Sequence, residues 1–453
     1  MFRAYQSPAS TADCGPQCAQ IPNFASRNQS GISYARKDAR VPSKGPAAMP
    51  IPNPAPETQL PGRNVIAAPP NNPFLNKFLL DIDITECTKF MLKFLLQTNT
   101  MHNHRVASLT MLLLLFLLSS QAPTQPPQSA PASATDTSYA ERLGFPKGAR
   151  VLIIHVDDAG MSLESNEGAI AALAKGAATS VSVMMPCPWV PGFLKWLKTH
   201  PDIDAGLHLT LTSEWDSYRW VPLSGSSNVP GLADSSGCLW PDVIDVVRHA
   251  SADEVTLEMT AQLNRARAMG FQPTHLDTHM GTVYATPEFL ERYIRLGITN
   301  HIPVMLPGGA DKLIQQQTGF SDTRIRQIRA IGATLWDAGL PVLDDLHNFS
   351  YDWKVPDSLA TDNPTQQSDK KLEKWRTAKY IDALHTLQPG VTMMIMHCSD
   401  AGAHFAHISD SGPLRRGDLL AMLDPAFKQA LREQGIVLTT WRELMRRRSQ
   451  IPR

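Results

Sequence analysis

ARVLIIHVDDAGMSLESNEGAIAALAKG, residues 149–176, is the stretch on which the fold turns. Val151 to Val156 is a run of valine, leucine and isoleucine interrupted only by His155. A run that short and that apolar reads as a strand covered on both faces. Ala159-Gly160 ends it, Ser162 is placed to cap a helix running to Lys175, and Gly176 stops that helix. A buried strand passing at once into a helix is the repeating unit of an α/β fold.

Working outward, the same alternation recurs as far as Met445. Further strands are expected at 179–185, 205–211, 274–279, 301–306, 341–346, 391–397 and 436–441. Most of the intervals hold a helix signal. Ser251 with Glu254 forms a capping box, and Thr286 before Pro287 opens a helix expected to end at Gly297. Eight strands, each followed by a helix, predict an α/β fold of the (β/α) TIM-like barrel type over residues 149–445, with an open doubly wound sheet as the second choice.

The region before residue 149 has another character. Residues 1–100 are a leader whose stretch from Val41 to Pro73 is crowded with proline, alanine and asparagine, without helical or strand period. Residues 101–122 carry His102, His104 and Arg105, an apolar run from Leu109 to Leu118 and then small residues. That order describes a signal peptide, and the run falls short of the ~20 apolar residues that span a bilayer comfortably. An uncleaved membrane anchor is the alternative, and Met101 is a candidate start. Residues 123–148 read as a Pro/Ala/Ser linker and 446–453 as a basic tail. The expected location is therefore exported, periplasmic or secreted.

Lysine plus arginine (42) equal aspartate plus glutamate (42), so no basic field points to nucleic acid. Of six cysteines only Cys187, Cys238 and Cys398 lie beyond the signal segment, and no pair of CxxC motifs suggests a zinc knuckle.

In a barrel the reactive groups belong at the C-terminal strand ends. Asp157 and Asp158 end the first strand, His208 lies in the third, Asp277 and His279 end the fourth, and His397 ends the seventh. Taken alone, His208 reads more readily as a core residue, His279 less so, and the Asp-Asp pair equally well as a helix cap; four strands agreeing on one end is the stronger observation. Two imidazoles and one carboxylate suit zinc or another divalent ion with open positions. One carboxylate of the Asp-Asp pair would bind the metal while the other takes a proton from the attacking water. His397 is placed to protonate a leaving amine. His275, Asp277 and His279 share one strand face; His275 lies a full turn of the pleat below the strand end and reads as support or core rather than a ligand, and Asp277 as a support beside the site. Trp215, Tyr218, Trp220 and Trp240 follow the third strand, and Phe349, Tyr351 and Trp353 the sixth. On long loops at the catalytic face, flat rings such as Trp215, Trp220, Trp240, Tyr351 and Trp353 are candidates for binding sugar.

These residues sit in motifs. HVDDAGMS (155–162), NEGAI (166–170), GLHLTLT (206–212) and PTHLDTH (273–279) resemble the YdjC-like carbohydrate deacetylases, the ChbG/HpnK-type group that includes chitooligosaccharide and hopanoid-biosynthesis enzymes. The resemblance covers about residues 149–445. It implies a barrel related to polysaccharide deacetylases and hydrolysis of an N-acetyl group with one divalent ion, magnesium or zinc. Carried over by position, Asp158, His208 and His279 are the implied metal ligands, Asp157 the general base and His397 the late active-site histidine. The chain departs from the family at His155 and Val156, at Ala159, and at Met280-Gly281-Thr282, where the family has a histidine-rich tail.

The expected partner is an N-acetylated sugar or oligosaccharide, with no nucleic acid. The other readings are a non-catalytic carbohydrate-binding protein on the same scaffold and a metal-dependent esterase. A phosphoesterase would ask for an arginine near the site, and none stands beside these motifs.

Overall fold

The 149–176 unit folds as a strand, β1 (Arg150–Ala159), followed by a helix, Leu163–Ala174. The N-cap Ser162 accepts a hydrogen bond from the Ser165 amide, which satisfies one of the free donors of the first turn. In this computed structural model residues 137–452 are described. The leader, the signal segment and the linker up to residue 136 lie outside the described residues.

The remaining strands are β2 (Ser180–Val183), β3 (Ala205–Leu209), β4 (Leu276–Thr278), β5 (Asp345–His347), β6 (Gly390–Met396) and β7 (Val437–Leu438). All pair in parallel, in the order β4-β3-β2-β1-β6-β5, with β7 alongside the start of β1. The strand expected at 301–306 is reduced to isolated bridges, Leu276 with Val304 and Pro307 with Leu343. Those bridges link β4 to β5, so the sheet curls round as a barrel does. Helices between the strands cover its outside, and nine of the ten β1 residues are buried. Burial on both faces is why these strands carry continuous apolar runs.

The strands are mostly shorter than expected, and three differences from the reading of the sequence concern helices. The helix Pro287–Asn300 continues past Gly297, where a Cβ would overlap the side chain of Val304. Gly297 permits close packing on the bridging segment; His301, at φ 54, is the residue that ends the helix. Residues 446–449 belong to the last helix, Trp441–Ser449, rather than to a tail. Arg448 is buried there and donates to the Trp336 carbonyl at 2.6 Å.

The third is at the other end. Tyr139–Arg142, within the segment read as linker, is a short helix with Tyr139 and Ala140 buried. Its first amides, Tyr139 at 2.8 Å and Ala140 at 3.0 Å, donate to the buried carboxylate of Asp344, which also accepts from the Val391 amide of β6 at 2.8 Å. One carboxylate thus answers unpaired donors of a helix start and a strand. Replacing it, Asp344→Ala, leaves these three amides buried and unpaired. We expect a loss of about 2–4 kcal/mol in chemical denaturation, and a protein beginning at residue 149 should be destabilised in the same sense.

Nearby Asp311 is fully buried with Arg329 Nε 3.6 Å from one oxygen, and burial and the neighbouring Asp345 outweigh that arginine and push its pKa up to about 8. A carboxyl that holds its proton more tightly folded than unfolded favours folding at low pH. That contribution falls away as the pH rises from about 4 to about 8. Asp311→Asn should therefore raise the melting temperature by more at pH 8 than at pH 5.

Candidate metal centre

The end of β1 carries the feature that builds the site. Its register with β2 shifts between Val156 and Ala159, and Asp158 adopts a left-handed backbone, φ 67. On a regular strand Asp157 and Asp158 would face opposite sides. The kink brings both carboxylates into one buried cluster with His208 from β3 and His279 from the end of β4.

Asp158 Oδ1 lies 3.3 Å from His208 Nε2 and 3.4 Å from His279 Nδ1. Donor atoms of these three residues fall within 4.8 Å of one another. Each ring's other nitrogen is already committed. His208 Nδ1 is 2.9 Å from Asp277 Oδ1, and His279 Nε2 is 3.0 Å from Glu214 Oε2. A carboxylate behind a histidine fixes its tautomer and turns the opposite lone pair toward a metal. Asp158 Oδ1 itself is buried with no hydrogen-bond donor. Two aimed imidazole nitrogens and one orphaned carboxylate oxygen fit a divalent ion.

Two other groupings share members of this cluster. Asp157, His208 and Asp277 would use the His208 nitrogen already held by Asp277. His155, His275 and Asp277 are wholly buried, and both ring nitrogens of His155 are taken, by Ser180 at 3.0 Å and by Ser182 at 3.1 Å. In the Asp158 group all three residues turn an otherwise uncommitted atom to the common point, whereas in the other two groups a histidine nitrogen that would be needed is already held.

Charge supports the same assignment. Asp157, Asp158, Asp277 and Glu214 crowd a buried space that one guanidinium, Arg415, does not balance. Burial depresses the pKa of His279, but Glu214 and Asp158 outweigh it and raise the value to about 9. His208 rises well above the usual imidazole range for the same reason, the opposing burial being outweighed by Asp277 and Asp157. The rings gather positive charge that a bound dication would otherwise supply.

His155 lies one layer below, 3.0 Å from Asp157 and 2.9 Å from Asp277. Burial opposes its charge, yet hydrogen bonds to these carboxylates raise its pKa to about 9. His275 stacks flat on Trp441, with ring centroids 5.2 Å apart, and meets His155 edge-on; it supports the floor. His397 reaches the cluster from the end of β6, its Nε2 3.8 Å from Asp157 Oδ2. Burial holds its pKa down to about 4. Its backbone amide donates to Asp418 at 3.0 Å, and Asp418 in turn is gripped by Arg376 and Tyr380.

The aromatic residues divide. Trp220 is buried 6.4 Å from the His279 ring, with its indole N–H on the Thr212 carbonyl. Trp215 meets Trp220 edge-on and lies 5.9 Å from the Arg415 guanidinium, and Tyr351 packs edge-on against His397 at 4.5 Å. Trp240 and Trp353 are held elsewhere: Trp240 stacks on His249, and Trp353 packs against Tyr380 and beside Arg376. Cys187, Cys238 and Cys398 form no disulfide.

Sequence reading missed Glu214 and Arg415. Glu214 sits on the loop after β3, which buried Glu258 anchors through the Leu223 and Ser224 amides. Arg415 comes from the helix Gly412–Leu423 and donates to Asp158 Oδ2 at 2.6 Å. An arginine does stand in the site, against the expectation from the motifs. Its donors are engaged within the protein, by Asp158, Tyr351 and Ser411, rather than offered to a phosphate.

The sequence model of the family described as YdjC-like protein matches residues 151–433. A carbohydrate deacetylase of Thermus thermophilus is 30% identical over 303 residues, 67% of this chain and 96% of that one. A chitooligosaccharide deacetylase of Yersinia enterocolitica is 31% identical over 133 residues, 29% of this chain and 49% of that one. Among solved structures, an Enterococcus faecalis protein described as acting in cellobiose-phosphate cleavage superposes with a TM-score of 0.51 at 19% identity. It spans 65% of this chain and 99% of its own, and shows the fold alone.

Gly168, in the first helix after β1, lies against the loop that follows His397. A Cβ there would stand 2.5 Å from the Cys398 carbonyl oxygen and from Ser399 Cα. Gly168→Ala must push that loop outward. We expect about 1–3 kcal/mol of destabilisation by denaturant titration and a fall in hydrolytic turnover, since His397 moves with the loop.

Proposed function

The chain belongs to the YdjC-like protein family, and on that premise we propose that it is a metal-dependent hydrolase removing the acetyl group from an N-acetylated amino sugar or glycan. The observation that carries this reading is the unpaired Asp158 Oδ1 facing two histidine nitrogens whose partners are carboxylates. Asp158, His208 and His279 would hold the ion. Two imidazole donors favour zinc over magnesium. When bound, the ion supplies Lewis acidity, lowering the pKa of water and stabilising negative charge on the acetyl oxygen.

The protein's own groups move the protons. Asp157, held by His155 and Ser182, accepts the proton of the attacking water. His397 is neutral at pH 7, so it must gain a proton before it can donate one. Asp157 Oδ2 stands 3.8 Å from His397 Nε2, beyond hydrogen-bond reach, so the two close by about 1 Å before Asp157 hands on the water's proton and His397 delivers it to the departing sugar amine. Trp215 and Tyr351 flank the cluster as walls for a sugar ring. The export signal read at residues 101–122 supports a periplasmic or secreted place of action.

The test is acetate release from N-acetylglucosamine oligomers and peptidoglycan fragments, with zinc, with magnesium and with chelator. We expect metal-dependent release that falls by roughly 100-fold or more in Asp157→Asn and His279→Ala. Bound metal without acetate from any N-acetylated glycan would sink the proposal.

A further inference from the structure

We propose that Arg415 is a positioning residue that fixes the metal-binding face of Asp158 and ties it to the Tyr351–His397 side of the site. The proposal rests on the metal-dependent reading above and adds a residue to it. Arg415 is 2% exposed, and its guanidinium makes three separate attachments. Nη1 donates to Asp158 Oδ2 at 2.6 Å, Nη2 to Tyr351 Oη at 2.8 Å and Nε to Ser411 Oγ at 2.8 Å.

The geometry decides what this does. Asp158 stands on a left-handed turn at a strand end, where its backbone alone does not choose which carboxylate oxygen faces His208 and His279. Arg415 takes Oδ2 and thereby leaves Oδ1 toward the histidines. The same planar fork holds the Tyr351 hydroxyl, and the Tyr351 ring packs edge-on against His397. One guanidinium thus braces both the group that would hold the ion and the ring beside the proton donor. A lysine has the charge but not the fork.

Two effects on metal affinity oppose each other. The positive charge beside Asp158 repels a cation, whereas the fixed carboxylate orientation favours binding. Buried orienting partners of ligands typically matter by 10- to 100-fold in affinity, and we take orientation to dominate. The measurement is zinc affinity of the whole protein by competition with a chromogenic chelator, independent of any sugar substrate, with circular dichroism to check folding. Arg415→Met and Arg415→Lys should each bind zinc about 10- to 100-fold more weakly. Arg416→Met, which removes a surface pairing with Asp369 and Asp400, should bind as the unaltered protein does. A second readout is kcat at saturating zinc: Arg415→Met and Tyr351→Phe should lower it together by less than the product of their separate effects.

Equal or tighter zinc binding by folded Arg415→Met would overturn the proposal, as would a lysine variant indistinguishable from wild type. If the methionine variant does not fold, the lysine variant decides. Failure of the unaltered protein to bind zinc overturns both this inference and the metal reading, whereas tight zinc unaffected by Arg415 overturns this inference alone.

Discussion

The site depends on one backbone departure: the left-handed residue Asp158 after the register shift at the end of β1. Left-handed backbone costs an L-residue about 1–2 kcal/mol, least for aspartate and asparagine. Here that conformation turns a second carboxylate toward the cluster that the first already faces. The buried pairing with Arg415 helps to offset the cost, and it holds Asp158 well below the usual carboxylate pKa against the opposing effect of burial. Gly160, two residues on, is at φ 88 and lets the chain pass close to Val190 before the next helix starts.

Everything else in the site is layered on that turn. Behind the proposed ligands come Asp277 and Glu214, each fixing one imidazole. Behind Asp277 comes His155, which joins it to Asp157, so the proposed base and the support of a proposed metal ligand share one buried ring. Ser182 touches His155, Asp157 and His208 together. A network this buried and this connected holds its members rigidly, because each unpaired group would be costly. His155 is built into that network rather than left as a surface variation.

The outer helices act on the site at a distance. Asp418 receives the His397 amide, while Arg376 and Tyr380 hold Asp418. Arg376 also reaches the Ser350 carbonyl, which steadies the loop carrying Tyr351. These contacts explain why Trp353 packs with the helices instead of over the metal cluster: it covers the apolar side of the Arg376–Tyr380 pair.

The sequence by itself determined the alternating α/β plan and which strand ends carry Asp157, Asp158, His208, Asp277, His279 and His397. Those signals are local: apolar runs set strands, caps set helix starts, and parallel strands followed by helices leave their reactive ends on one face. It did not show that Gly297 packs while His301 stops its helix, or that Tyr139–Arg142 docks through Asp344, because both depend on contacts with distant residues. Glu214 was legible only as a polar residue in a loop, and Arg415 only as one arginine of a helix. Asp158 and Arg415 are 257 positions apart and share no period or motif. Only the tertiary structure could bring them together, since a buried ion pair is selected by closing the chain around it and leaves no local pattern on either side.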